Sequence, residues 1–267
     1  MPVCYHRSMR VVVLGASGES GLEVVREGLA RGIQITAGVR DTTKTEHIDH
    51  ENFTSVKVDV FSEESLASVF AGHDAVVSAL GFPKNPAGVN GFSKTIPLIV
   101  SAMRTAQVKR LVLISAWFTE ESSRTHPFYQ TIWQHVPGLV NVLDDTNKME
   151  NWLQEEAPDI WWASVKPGSL CWGEGTGRDL KYRIGQEVVE ESFFIRRADL
   201  ARGLLDVLVS GARGRVSVGE VCSKDEEKTE LKSLQSIMQT MQEVTMGSEA
   251  QDMTAFFHAW EKLIDQK

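Results

Sequence analysis

The chain has 267 residues, 42% of them hydrophobic, which is material for one large α/β core. Its net charge of −8 speaks against nucleic acid or an anionic membrane as the main partner. No apolar run is long enough to span a bilayer, and the N-terminus lacks a signal-peptide core; the scattered Cys4, Cys171 and Cys222 fit reduced thiols in a cytoplasmic protein, not disulfides or a metal site.

Val11-Val12-Val13-Leu14 reads as a parallel strand buried on both faces, and it breaks into Gly15-Ala16-Ser17-Gly18-Glu19-Ser20-Gly21. Each glycine there has a mechanical reason. Gly15 permits a tight turn, Gly18 admits a pyrophosphate close to the backbone, and Gly21 lets the next helix pack on the strand. Amides at the start of that helix suit phosphate oxygens, which predicts dinucleotide binding. Leu22, Val25 and Leu29 repeat at helical spacing, Gly32 stops the helix, and residues 33–39 read as a second strand. An NAD-binding fold usually offers a carboxylate at the end of that strand. Here Arg40 stands there, with Lys44 close behind, and a guanidinium grips a 2′-phosphate; the expected cofactor is therefore NADP(H). The alternative leaves Arg40 and Lys44 as solvated loop cations and gives a ribose to Asp41.

Strand and helix keep alternating. Residues 54–60 form a third strand ending at Asp59-Val60, which borders the adenine, and residues 75–81 form a fourth ending at Leu80-Gly81. A helix over 92–106 leads to a fifth strand, residues 110–115, which ends at Ser115. Ligands of open α/β sheets lie beyond the carboxyl ends of the strands, so Ser115, Gly81 and the glycine turn should meet at one crevice. Phe82, Trp117, Phe118, Trp133 and Trp172 are candidates for an aromatic substrate surface there, with core or lid packing as the alternative. Residues 160–165 are a sixth core strand, and the glycine-rich stretch 173–178 is a candidate lid.

These motifs, in this order and spacing, resemble the atypical short-chain dehydrogenase/reductases with an NmrA-like NAD(P)H-binding domain. Within that group they are most similar to the biliverdin-IXβ reductase/flavin reductase branch. The resemblance runs from about Met9 to about Val218 and rests on residues 15–21, 39–44, Asp59-Val60, Leu80-Gly81, Ser115-Ala116, Asp144-Asp145, Lys166-Pro167-Gly168 and Arg197-Ala198-Asp199-Leu200. It implies that Arg40 contacts the 2′-phosphate and that Ser17, Glu19 and Ser20 line the pyrophosphate. Ser115 is implied to lie beside nicotinamide and substrate, in a site that includes Pro167 and Ser169.

The chain departs from the ordinary pattern in two places. Short-chain dehydrogenases place a Tyr four residues before a Lys, so that the phenol protonates a carbonyl oxygen. Here Lys148 is preceded by Asp144, and an ionised carboxylate is no such acid. Lys148 is left either to the nicotinamide ribose or to the surface. The biliverdin-reducing branch also has a His where this chain has Ser169. His126 and His135, in the longer connection 116–142, are alternative acids or plain surface histidines. Simple alcohol–ketone chemistry is therefore disfavoured. A conjugated acceptor that spreads its own charge (flavin, tetrapyrrole, quinone or enone) needs less acid help.

The sequence thus predicts a doubly wound parallel sheet of Rossmann type over residues 1–221, with a helical C-terminal extension at 222–267. The predicted function is an NADPH-dependent reductase of a small-molecule substrate, with Ser115 and Lys148 as candidate catalytic residues. A non-catalytic NADP(H)-sensing regulator of the NmrA-like type is the alternative. In the extension, Leu231, Leu234, Ile237, Met238, Met241 and Val244 form one apolar stripe, and Met253, Phe256, Phe257, Trp260, Leu263 and Ile264 form another. Such stripes either cap the chain's own sheet or join a homodimer.

Overall fold

The computed structural model describes residues 8–85, 87–131, 133–171, 173–188 and 193–221. Ten strands are present among them: β1 (Arg10–Leu14), β2 (Gln34–Val39), β3 (Phe53–Lys57), β4 (Ala75–Ser78), β5 (Arg110–Ile114), β6 (Trp161–Pro167), β7 (Ser169–Cys171), β8 (Leu180–Ile184), β9 (Phe194–Arg196) and β10 (Gly214–Glu220). The helices are α1 (Glu19–Ala30), α2 (Glu63–Phe70), α3 (Gly91–Thr105), the single-turn α4 (Pro127–Thr131), α5 (Leu139–Glu156) and α6 (Arg197–Ser210). Eight strands make one sheet in the order β3-β2-β1-β4-β5-β6-β10-β8, parallel except for β8, which runs antiparallel to β10 at the edge. The order reverses between β1 and β4, the switch point at which ligands bind in doubly wound sheets.

Two apolar layers follow from the two-residue period of the strands. Val11 and Val13 face α1 and α6, packing with Val24, Val25, Leu200, Leu204 and Leu205. Val12 and Leu14 face the opposite layer, where Leu66, Phe70, Ile96, Ile99 and Leu153 come from α2, α3 and α5. Burying each such side chain contributes about 1.5–3 kcal/mol before conformational entropy is subtracted.

The 116–142 connection builds a third cluster from Trp117, Phe118, Phe128, Tyr129 and Trp133, with Leu143 and Phe193. Phe128 stacks on Phe193 at 4.4 Å between ring centroids, with only 10° between the planes.

The third and fourth strands end earlier than the sequence pattern implies, at Lys57 and Ser78. β3 has only β2 as a partner, and their pairing stops at Val39 opposite Lys57, while β4 stops pairing with β1 and β5 at Ser78; Asp59-Val60 and Leu80-Gly81 are thereby released into loops at the carboxyl edge. β7 and β9 pair in a separate two-stranded sheet, and the extension expected at 222–267 lies outside the described residues.

Candidate functional site

β1 turns into α1 through a backbone with no spare volume. Gly15 has φ +74°, and a Cβ on it would lie 2.6 Å from the Ala79 carbonyl oxygen; a Cβ on Gly21 would lie 2.1 Å from the Gly15 oxygen. Gly18 caps α1 in an extended conformation, and no side chain takes the amides of the first turn. The Gly18 amide itself donates to the Gly15 carbonyl at 2.9 Å. The Glu19, Ser20 and Gly21 amides therefore have no partner within the helix and point, with the dipole, past the carboxyl end of β1. Gly18 and Glu19 are exposed, and Ser17 and Ser20 are half-buried. This cradle fits a pyrophosphate. Glu19 is held at its side by Arg197 of α6, 2.9 Å away.

At the end of β2, Asp41 is already engaged: its carboxylate accepts from the Thr43 amide at 3.1 Å and from the Thr43 hydroxyl at 2.7 Å, capping a short 3-10 turn over Thr42–Thr45. Those hydrogen bonds hold the Asp41 carboxyl below its usual pKa. Arg40 and Lys44 are exposed, and neither forms an ion pair with any described residue. Asp59 is exposed and Val60 buried, with the Asp59 carboxylate accepting from the Phe61 amide at 2.9 Å. Leu80 is half-buried, and a Cβ on Gly81 would meet nothing within 4 Å, so the backbone beyond β4 is open to a ligand. Phe82 is half-buried between Phe61 and Phe92, its ring edge-on to the latter at 4.9 Å.

Ser115, just past β5, is half-buried, and its hydroxyl donates to Glu150 Oε1 at 2.6 Å. Glu150 lies on α5 and is completely buried, as is Lys166 on β6, whose ammonium sits 3.0 Å from Glu150 Oε2. The Ser164 hydroxyl donates to Glu150 Oε1 at 2.5 Å, the Thr119 hydroxyl and Arg215 Nε each reach Oε2 at 3.0 Å, and Lys166 also contacts Thr119 and Glu187. Burial alone would raise the Glu150 pKa, but the Lys166 charge and the hydrogen bonds from Ser115, Ser164 and Lys166 outweigh it and hold the carboxyl below its usual value. An ionised carboxylate accepts the Ser115 hydrogen bond, and the hydroxyl proton is thereby directed to Glu150 and away from a ligand.

Sequence reasoning missed Glu150 as a site residue. One signal was available: Leu143, Thr146, Glu150 and Leu153 share one face of α5, which puts the carboxylate on the buried stripe. Lys148 is exposed and engages no described residue, so it is Glu150 that α5 brings to Ser115. Asp144, in the tyrosine's place, pairs with Arg124 at 2.7 Å.

Several substrate-side expectations need correction. Trp117 and Phe118 are completely buried and belong to the third cluster, because the inserted helices fold over them; they offer no surface to a substrate. Ser169 is buried and its hydroxyl accepts from Trp133 Nε1 at 3.0 Å, which occupies both residues. Pro167 is buried in β6. Trp172 lies outside the described residues. The stretch 173–178 is not a free flap: the Thr176 and Gly177 amides donate to Asp199 at 2.6 and 3.3 Å.

Residues 15–210 match the sequence profile of the NAD(P)H-binding family, and the chain belongs to that family. An uncharacterised chloroplastic protein of Arabidopsis thaliana is 34% identical over 119 residues, 41% of this chain but only 42% of the plant protein, so the chain spans less than half of that relative. Among solved structures, a candidate NADH-flavin reductase from Streptococcus pneumoniae aligns with TM-score 0.64 at 24% identity, covering 80% of this chain and all of its own. A short-chain dehydrogenase/reductase from Veillonella parvula, in complex with NADP, aligns with TM-score 0.64 at 17% identity over 79% of this chain and 94% of its own. At these identities the structures show a shared Rossmann fold.

Proposed function

We propose that the protein is an NADPH-dependent reductase that passes hydride to a conjugated small-molecule acceptor, with a flavin type foremost. The observation that carries this reading is how the candidate acids among the described residues are engaged: the Ser115 hydroxyl donates its hydrogen bond to ionised Glu150, and Asp144 is tied to Arg124. An acceptor reduced here must stabilise the incoming electron pair by its own conjugation. A quinone or an enone meets that condition too. A tetrapyrrole is less suited, since buried Ser169 stands where that chemistry has a histidine. The resemblance to the flavin reductase branch, and the Streptococcus neighbour's description, support the flavin type.

Bound dinucleotide would supply the hydride; the chain's part is to hold and orient it. The first-turn amides of α1 receive the pyrophosphate, Arg40 and Lys44 receive the 2′-phosphate, and Asp59-Val60 border the adenine. Leu80-Gly81 leave room at the nicotinamide end, beside Ser115. NADP in the Veillonella complex and the engaged state of Asp41 support the phosphorylated cofactor.

The test is steady-state NADPH oxidation against flavin, biliverdin, quinone and enone acceptors. Turnover of a conjugated acceptor is expected, with Ser115→Ala lowering the rate and leaving NADPH affinity nearly unchanged. Tight NADPH binding with no turnover on any acceptor would overturn the reading in favour of a sensing protein.

A further inference from the structure

The direction of the Ser115–Glu150 hydrogen bond limits what Ser115 can do for a ligand. A hydroxyl has one proton and two lone pairs. The Ser115 proton lies along the 2.6 Å line to Glu150 Oε1, and among the described residues the hydroxyl has no second partner. The carboxylate is locked in turn. Oε1 also takes the Ser164 proton, and Oε2 is met by Lys166, Thr119 and Arg215, from three other segments of the chain. Turning the Ser115 proton outward would leave a buried carboxylate short of a donor.

Resting on the reductase reading, we propose that Glu150 is a positioning residue which presents Ser115 to the crevice purely as a hydrogen-bond acceptor, so that the site prefers hydride acceptors carrying a ring N–H over those offering only carbonyl oxygens. An imide N–H of an isoalloxazine donates to the Ser115 lone pair. A quinone carbonyl in the same place meets lone pair with lone pair and is repelled. The redox balance is the same for both: the nicotinamide loses one hydride and is oxidised, the acceptor gains two electrons and one proton, and any further proton comes from water.

The experiment measures kcat/KM for riboflavin, which has the imide N–H, and for menadione, which has only carbonyls, with NADPH as donor. The intact protein, Ser115→Ala, Ser115→Thr and Glu150→Gln are compared. Ser115→Ala should lower the riboflavin value about tenfold more than the menadione value, as loss of one hydrogen bond predicts. Ser115→Thr, which keeps the hydroxyl, should restore most of the riboflavin rate. Glu150→Gln should shift the riboflavin-to-menadione ratio toward menadione, because the amide can itself donate to Ser115 and release its proton. Should Glu150→Gln fail to fold, Ser115→Ala decides, its side chain being small and half-buried. Equal losses on both acceptors, or a larger loss on menadione, would overturn the positioning role while leaving the reductase reading intact. No turnover of riboflavin by the intact protein would overturn the inference, whereas the reductase reading falls only if no conjugated acceptor is turned over.

Discussion

On the proposed reading, cofactor choice turns on Arg40. It is exposed at the end of β2, and the neighbouring Asp41 directs its carboxylate to the amide and hydroxyl of Thr43 in capping its own turn. NADPH should therefore bind at least about tenfold tighter than NADH, and Arg40→Ala should erase most of the gap, on the order of 1.5–3 kcal/mol for a charge-assisted contact. Calorimetric titration with both cofactors checks this; equal affinities in the intact protein would refute it. Lys166 makes a different kind of prediction. Lys166→Met leaves Glu150 and Glu187 without their buried cation, and the cost should be about 3–5 kcal/mol in denaturant unfolding. Arg40 and Glu150 differ in how far the sequence reveals their position. Arg40 stands at the end of a strand whose place could be read along the chain. Glu150 is brought into its network only when Ser115 and Arg215, 35 and 65 residues away, fold against it.

At the scale of elements, α3 depends on a carboxylate from another helix. Asn90 caps it without a side-chain bond, whereas buried Asp145 of α5 accepts from the Phe92 amide at 2.8 Å and from the Ser93 hydroxyl. Asp145→Ala should cost about 1–2 kcal/mol, and limited proteolysis should find the preceding connection, residues 82–90, more readily cut. The glycine turn is less forgiving. A methyl at position 21 collides with backbone, not with a movable side chain, so Gly21→Ala should abolish NADPH binding by shifting α1 off β1. β1, β4 and β5 were legible because strands buried on both faces read as nearly unbroken apolar runs, whereas the half-buried edge strand β3 was placed by the alternation of strand and helix along the chain. β7 and β9, three residues each, carry no such pattern, and the antiparallel β8 was likewise not foreseen. The aromatic residues after Ser115 were recognised as a group, but a packed cluster and a ligand surface have the same composition; only burial separates them.

For the whole molecule, two buried carboxyl groups set opposite pH dependences. Glu150 has a folded pKa below its ordinary 4.5, so its stabilisation is present above that pH and is lost as pH falls through the folded value. Glu220 is shifted upward, first by burial and also by the Asp199 charge; its contribution is present below pH 4.5 and is lost as pH rises through its folded value. Glu220→Gln should therefore raise the melting temperature at neutral pH relative to the parent, with little gain in acid. A variant no more stable than the parent at neutral pH, or a gain that persists unchanged in acid, would contradict this assignment. The homodimer expected through the tail awaits light scattering on the full chain and on a truncation after Glu220. A full chain already monomeric at high micromolar concentration would leave the tail as a cap.

The tethering of 173–178 to Asp199 bears on how ligands come and go. Asp199 sits in the first turn of α6, two residues from the Arg197 that holds Glu19 at the phosphate turn. The stretch is thus anchored to the same rigid body as the cradle, and it can lift only by surrendering two amide bonds to a buried carboxylate. Deuterium uptake at the Thr176 and Gly177 amides should be slow in the native state and accelerate in Asp199→Ala. The glycine-rich stretch would then stay in place while ligands come and go, a fixed doorpost on the side of the phosphate turn.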